Sequence, residues 1–226
     1  MADLMEVSTK AEYAPYLKTL TDVATEVVEG RVMGRKLEFH EGNWELSDKV
    51  DNGTIDMASN GYGWSMNFQR ALDVLSERQF ESVNCSYREN LQNARDAKPN
   101  SGIFVQTMQR NEGEGEDEKS FYSYAVIEDG KGMSVSDLGE YLFNIFSSSK
   151  SGESDFAGEH GIGFISNLAY FETVVVDTKT EGHEPMTIVI KGKYDGDKIR
   201  PNRYDIDVLP GHRSINGSTV LCLEKA

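Results

Sequence analysis

The chain has 226 residues and a formal net charge of −15 at pH 7, and 38% of its residues are hydrophobic, enough for one substantial core. No apolar run approaches the roughly 20 residues that cross a bilayer, and the polar, acidic start lacks the features of a signal peptide, so we expect a cytoplasmic protein without a membrane partner. The acidic excess argues against direct nucleic-acid binding, and two cysteines, Cys85 and Cys222, are too few for a zinc cluster or a disulfide framework.

The first half of the chain is predicted to contain both helices and strands. Apolar residues recur near a helical period up to Gly30, and a later helix ends where Pro99 and Gly102 forbid its continuation. An acidic run over 111–119 is predicted to be a solvated hairpin loop rather than a calcium site, because it lacks the ordered spacing of oxygen ligands. The predicted elements are a helix over 12–30, a strand over 36–40, loops over 41–63, helices over 67–80 and 83–97, and strands over 103–109 and 121–127.

The second half of the chain is predicted to contain two helices followed by four strands. The elements are a helix over 134–146, a short helix over 165–170, and strands over 172–178, 186–194, 204–209 and 218–224. These strands adjoin one another in sequence, whereas most helices come earlier. We therefore expect an α+β fold, a two-layer sandwich in which a mixed, mostly antiparallel sheet is covered on one face by helices.

Three short segments carry candidate chemistry, and the first lies on the helix predicted over 83–97. Glu89 and Asn93 are four residues apart and Asn93 and Asp96 three apart, so their side chains line one stripe of the helix. A carboxylate there could polarise a water as a general base, and a neutral amide oxygen could ligate Mg²⁺. The alternative is that this stripe is only the solvated side of the helix.

The second segment runs from Glu128 to Met133 at the end of a predicted strand. Gly130 and Gly132 allow a tight turn and a close approach to a ligand. A buried carboxylate at Glu128 or Asp129 could accept a hydrogen bond from an exocyclic amine such as adenine N6. An ordinary acidic turn is the alternative interpretation.

The third segment is a glycine loop that leads into the short helix predicted over 165–170. Gly158, Gly161 and Gly163 expose backbone amides, and the helix N-terminus adds a partial positive charge, so phosphates could be held without many cations. The loop is not a Walker motif, because no Lys-Ser/Thr pair follows the last glycine. It does not fit a dinucleotide-binding fingerprint either.

In this order the three segments resemble the motifs of the GHKL superfamily of ATPases, which includes gyrase B, the ninety-kilodalton heat-shock chaperones, the MutL proteins and the sensor histidine kinases. The resemblance covers about residues 83–226 and is nearer in wording to the chaperone, sacsin-like and MORC-like members. It implies the Bergerat fold with a mobile ATP lid over about 134–157. Residues 1–80 are then an N-terminal helical and loop extension, packed on or flanking an ATP-binding domain over 81–226.

The resemblance also implies roles for individual residues. Glu89 matches the general base, Asn93 the magnesium ligand and Asp96 the acid that closes the first motif. Glu128 stands where the family has Asp, with Asp129 in the variable position beside it, so the residue that contacts adenine stays open. Further nucleotide-binding residues implied in the same way are Gly130, Gly132, Met133, Lys150, Gly158, His160, Gly161, Ile162, Gly163, Phe164 and Ser218.

The implied function is Mg²⁺-dependent ATP binding and slow ATP hydrolysis that act as a conformational or dimerisation switch, with a protein partner or an ATP-dependent homodimer. Glu89 argues against a histidine kinase, because the kinases do not use this acid to activate water. Family enzymes usually draw one more phosphate-contacting cation from a following domain, whereas this sequence stops directly after the last predicted strand. We therefore expect the N-terminal ATPase domain of a larger chaperone-like or MORC-like protein, or else a stand-alone module, with weak activity for this chain alone. The alternative is a nucleotide-binding interaction module with little or no hydrolysis.

Overall fold

The computed structural model describes residues 13–40, 43–47, 83–112, 119–138, 164–193 and 203–224. The helices in these ranges are α1 (Tyr13–Val28), α2 (Asn84–Asp96), α3 (Val135–Asp137) and α4 (Ile165–Tyr170). The strands are β1 (Lys36–His40), β2 (Asn43–Ser47), β3 (Ile103–Glu112), β4 (Lys119–Glu128), β5 (Thr173–Lys179), β6 (Met186–Lys193), β7 (Arg203–Pro210) and β8 (Gly217–Leu223).

Most predicted elements are present within a few residues of their expected bounds, and α4 matches its prediction. One local prediction is wrong, since β2 lies in the segment predicted to be loops. Residues 43–47 alternate between polar and apolar side chains as a strand does, and the loop prediction overlooked this pattern among the neighbouring Gly, Asn and Asp residues. The backbone of β2 pairs with β1, with Lys36 opposite Ser47 and His40 opposite Asn43. The helix predicted over 67–80, and nearly all of that over 134–146, lie outside the described residues.

Six strands form one antiparallel sheet in the order β3-β4-β8-β5-β6-β7. β8 therefore lies between β4 and β5, although it follows both in sequence. The α+β class and the antiparallel sheet predicted from the sequence are confirmed.

The helices α2 and α4 cover one face of this sheet. Because side chains alternate along a strand, every second residue of the central strands contributes to the core on that side. This core contains Ala94, Tyr124, Val126, Leu138, Phe164, Leu168, Phe171, Val174, Val176, Met186, Ile188, Ile190, Ile206, Val208 and Cys222.

The helix α1 covers the opposite face, and so adds a third layer to the predicted two. Its apolar residues recur at helical spacing and form a stripe against the sheet. The second core contains Tyr13, Tyr16, Leu17, Leu20, Ala24, Val27, Ala125, Ile127, Val175, Val189 and Leu221. Every residue of β5 from Thr173 to Thr178 is consequently buried. None of the helices in the described ranges combines the length and the apolar character needed to cross a membrane.

Replacement of Leu20 with Ala tests the packing of α1. Leu20 is fully buried, so Leu20→Ala should lower the free energy of unfolding by about 2–5 kcal/mol in a urea titration. Lys18→Ala on the exposed side of the same helix, where the side chain is 74% exposed, is the control and should change stability little. Equal, small effects of both substitutions would show that α1 does not pack on the sheet.

Candidate nucleotide-binding site

Polar side chains from three central strands meet at one edge of the sheet. Glu128 ends β4, Ser218 is the second residue of β8 and Thr178 lies near the end of β5. The register places Ser218 opposite both Glu128 and Thr178. Val126 and Val176 belong to the core on the face that α2 covers, and Val220 packs against that core. Glu128, Thr178 and Ser218 each lie two residues from one of these valines, so strand alternation puts all three side chains on the same face.

Glu128 is a buried carboxylate at this edge, with only 4% of the residue exposed. Its Oε2 accepts a hydrogen bond of 2.5 Å from the backbone N–H of Gly130. Burial raises the pKa of Glu128, and the Gly130 hydrogen bond, the positive charge of Arg213 and hydrogen bonds from Ser218 act against that rise. The carboxylate is therefore fixed in place and largely shielded from water.

Asp129 points to a different part of the molecule. Both of its carboxylate oxygens accept from the backbone N–H of Ser101 at 3.0 Å, and its carbonyl accepts from Nδ2 of Asn100 at 2.9 Å. Partial burial acts against ionisation of Asp129, but the hydrogen bonds from Ser101 outweigh it and lower its pKa. Asp129 thus stabilises the turn between α2 and β3, and of the two acidic neighbours only Glu128 is a buried acceptor at the sheet edge.

The two glycines that follow are packed against the protein's own backbone. A side chain at Gly130 would collide with the carbonyl of Ala97, just after α2, and with the carboxylate of Glu128. A side chain at Gly132, where φ is +65°, would collide with the carbonyl of Lys179. The sequence predicted that these glycines allow a close approach to a ligand. The structure shows another requirement for glycine, because Gly130 packs closely against the residue after α2 and Gly132 against the end of β5.

Thr178 connects this turn to β8, a role that the sequence analysis missed. Its Oγ1 accepts from the backbone N–H of Met133 at 2.9 Å and lies 2.9 Å from Oγ of Ser218. It also donates to the carbonyl of Gly217 at 3.2 Å. Only its position at the end of a predicted strand could have indicated this role.

The three predicted residues on α2 differ in how far they are covered. Glu89 has a side chain 20% exposed, and its Oε1 lies 3.2 Å from Nη2 of the exposed Arg88. Asn93 is exposed, whereas the side chain of Asp96 is only 5% exposed and lies 3.7 Å from Arg95. The stripe therefore presents an accessible amide between two partly covered carboxylates.

Phe164 is the described residue of the predicted glycine segment. It is buried in the core to which Ala94 of α2 also belongs, and it is the residue directly before α4. The other predicted phosphate contacts lie outside the described residues, namely Lys150, Gly158, His160, Gly161, Ile162 and Gly163. Of the predicted lid, only residues 134–138 are described.

A buried arginine lies behind the strand end that carries Glu128. Arg213 is 1% exposed, and its Nη2 donates to the carbonyl of Glu128 at 2.6 Å while its Nη1 donates to Oγ1 of Thr219 at 2.8 Å. The guanidinium therefore holds the backbone of Glu128 and places a positive charge close to its carboxylate. No pattern in the sequence indicated this residue.

Asp177 connects the same region to α1. Its carboxylate accepts from the hydroxyl of Tyr16 at 2.6 Å and from Oγ1 of Thr187 at 2.7 Å, and from the backbone N–H of His212 at 3.1 Å. Burial raises the pKa of Asp177, and these hydrogen bonds and the charge of Arg213 act against the rise. The helix α1 is thereby hydrogen-bonded to β5, which lies next to β8, the strand that carries Ser218.

A comparison of two glycines tests how tightly the turn packs. Gly132 and Gly182 both have positive φ, +65° and +76°, but a side chain at Gly182 would meet nothing within 4 Å. Gly182→Ala should cost about 1–2 kcal/mol for the left-handed backbone. Gly132→Ala should cost about 1–3 kcal/mol more in urea unfolding, because it also crowds the Lys179 carbonyl. Equal losses would contradict the close packing.

Comparison with known families agrees with this geometry. A model of the histidine kinase-, DNA gyrase B-, and HSP90-like ATPase family matches residues 81–205, more than half of the chain. A comparison with curated proteins found no match. The matched range contains α2, Glu128 with the turn after β4, Thr178 of β5 and α4, whereas Ser218 and Arg213 lie beyond it. The chain therefore belongs to the family of histidine kinase-, DNA gyrase B- and HSP90-like ATPases.

Proposed function

We propose that this protein binds ATP with Mg²⁺ and hydrolyses it slowly, and that ATP binding drives a change of conformation or dimerisation. The observation that carries the proposal is the buried carboxylate of Glu128 in a chain of this ATPase family. A fixed, shielded acceptor at the edge of the sheet suits the exocyclic amine of adenine, because a hydrogen bond to a charged group is worth more than one to a neutral group.

We assign the adenine contact to Glu128 rather than Asp129. Glu128 lies on the face that α2 covers, whereas both oxygens of Asp129 are engaged by Ser101. Gly130, Gly132 and Met133 form the turn beside it, and Ser218 donates to the same carboxylate. In this assignment Ser218 and the Gly130 N–H orient the acceptor, and Asp129 keeps the neighbouring turn in shape.

The phosphate end of the proposed site lies along α2 and the glycine segment. Glu89 would orient the attacking water and accept its proton, since it is partly exposed on the stripe. Asn93 would hold Mg²⁺, because the residue is exposed and its side-chain oxygen is neutral, which fits a cation that takes few protein ligands and keeps several waters. The bound ion would offset phosphate charge. Amides of residues 158–163, with Lys150, would contact the β- and γ-phosphates, and Asp96 would support the stripe.

The conformational switch is proposed for residues 134–157. Its first turn is well defined, since Oγ of Ser134 accepts from the N–H of Asp137 at 3.2 Å and Oδ2 of Asp137 accepts from the N–H of Ser134 at 2.8 Å. Such a capping box fixes where the lid leaves the turn beside Gly132. Because the motif residues resemble those of the chaperone and MORC-like members, we propose that the protein is chaperone-like or MORC-like and acts with a protein partner or a second copy of the chain. We also propose that residues 1–80 are an extension of the ATP-binding domain over 81–226.

One observation favours a second candidate, a nucleotide-binding module with little hydrolysis. The ion pair with Arg88 engages one oxygen of the proposed general base. That oxygen is less available to accept a hydrogen bond from a water while the guanidinium contacts it. Arg88 is 69% exposed, so the pair is worth little, and rearrangement on nucleotide binding would release Glu89 at small cost.

Two substitutions on α2 separate hydrolysis from binding. Glu89→Gln should lower the rate of phosphate release by about 100-fold or more while ADP affinity stays within about threefold. Asn93→Leu should instead weaken ATP binding measured by calorimetry with Mg²⁺, and change it little without the ion. Leu91→Gln, at an exposed position on the other side of the helix, is the control. Unchanged phosphate release in Glu89→Gln would contradict the base assignment, and binding without any release by the natural chain would select the module.

The pH dependence of nucleotide binding tests the adenine contact. Since burial raises the pKa of Glu128, ADP affinity should fall as the pH drops through that raised pKa, because the protonated carboxyl is a poorer acceptor. Glu128→Gln should lose this transition, while titration of the ADP phosphates continues in both proteins. Asp129→Asn should keep it and be less stable in urea. A transition that disappears only with Asp129→Asn would move the contact to Asp129.

A further inference from the structure

A buried polar cluster lies beneath α2, on the side next to the proposed catalytic stripe. We call it the amide cluster, and its residues are Ser86 and Asn90 of α2, Tyr124 of β4, Asn167 of α4 and Cys222 of β8. None of them is more than 2% exposed. The mechanism proposed above uses none of them, and burial of two carboxamides is costly unless every polar group finds a partner.

The centre of the amide cluster is a reciprocal pair of side-chain amides. Nδ2 of Asn90 donates to Oδ1 of Asn167 at 2.8 Å, and Nδ2 of Asn167 donates to Oδ1 of Asn90 at 3.1 Å. Two opposed hydrogen bonds between planar groups fix both the separation and the relative orientation of the helices that carry them.

The rest of the amide cluster holds this pair in place. Oγ of Ser86 donates to Oδ1 of Asn167 at 2.5 Å, and Nδ2 of Asn90 donates to the hydroxyl of Tyr124 at 2.7 Å. Ser86 and Tyr124 are also hydrogen-bonded to each other. The network therefore connects α2 and α4 to each other and to β4.

Apolar residues of similar shape would stabilise this interface at least as well. Replacing both partners of a buried hydrogen bond by apolar groups is often neutral or stabilising. Apolar contacts, however, tolerate sliding, whereas an amide pair is satisfied in one arrangement only. The cluster thus contributes more to the relative position of the two helices than to stability.

That position matters because of what each helix carries. Asn90 directly follows Glu89 and lies three residues before Asn93, and Asn167 lies in the first turn of α4, directly after the glycine segment. The position of the proposed general base relative to the start of α4 is consequently set where Asn90 meets Asn167. We infer that Asn90 and Asn167 are positioning residues that hold α2 and the start of α4 in the arrangement needed for hydrolysis, an inference that rests on the proposed function.

The test is the double variant Asn90→Leu/Asn167→Leu, because leucine keeps the branching of asparagine without its hydrogen-bonding groups. Its urea midpoint should stay within about a fifth of the original value. The rate constant kcat for ATP should fall about 10- to 100-fold, with ADP affinity within about threefold, because misplacement by about 1 Å is that costly. Thr187→Val is the matched control, because it removes one buried side-chain hydrogen bond, from Thr187 to Asp177, without touching the amide cluster, and it should retain kcat.

A second readout does not depend on activity. The backbone N–H of Phe171 donates to the carbonyl of Asn167 at 2.9 Å, so its hydrogen exchange reports on α4. It should exchange about tenfold faster in the double variant, while amides of α1 stay unchanged. If the natural chain hydrolyses no ATP, the proposed function fails and this exchange alone decides. Natural kcat or natural Phe171 exchange in the double variant overturns the inference. Should that variant not fold, Asn90→Ala is judged by the same readouts.

Discussion

The central strands are covered by helices on both faces, and the placement of polar groups in this protein depends on that constraint. A polar side chain near the middle of such a sheet cannot be hydrated, so it must be paired within the protein. Asp177 accepts from Tyr16, Glu128 accepts from Gly130, and Asn90 pairs with Asn167. In the described part of the chain, Nε of Arg213 is the one buried side-chain nitrogen or oxygen without a partner. The polar groups near the proposed site are therefore held rigidly before any ligand arrives.

This rigidity gives the proposed site two chemically opposite ends. One end is a buried acceptor, Glu128, with Arg213 behind it to offset the cost of its charge. In our proposal the other end is the start of α4 with the glycine segment before it, whose backbone amides would favour anions. A chain with a net charge of −15 would then bind a polyanion through oriented amides rather than through its net charge.

The sequence predicted what depends on local pattern and on motif. Helical spacing predicted α1, Pro99 and Gly102 marked the end of α2, strand-like runs predicted β5 and β8, and the glycines around Lys131 marked the turn after β4. Arg213, Asp177 and Asn167 could not be predicted, because each is a polar residue whose role arises only when distant strands and helices meet. The packing of α1 on the second face of the sheet could not be predicted either, because an apolar stripe predicts that a helix is buried but not which surface it packs against. The choice between Glu128 and Asp129 needed the contacts of the 100–101 turn.

The place of β8 in the sheet bears on how this chain folds. β4 and β5 are separated in sequence by more than forty residues and do not pair with each other, because β8 is inserted between them. Until residues 217–223 have been synthesised, each of these strands carries an exposed hydrogen-bonding edge, which is a hazard for association with other chains. Both pairings of β8, with β4 and with β5, join residues far apart in sequence, so folding should be slow for a domain of this size. A piece ending at residue 205, where the family match ends, would lack the strand that joins the two halves of the sheet.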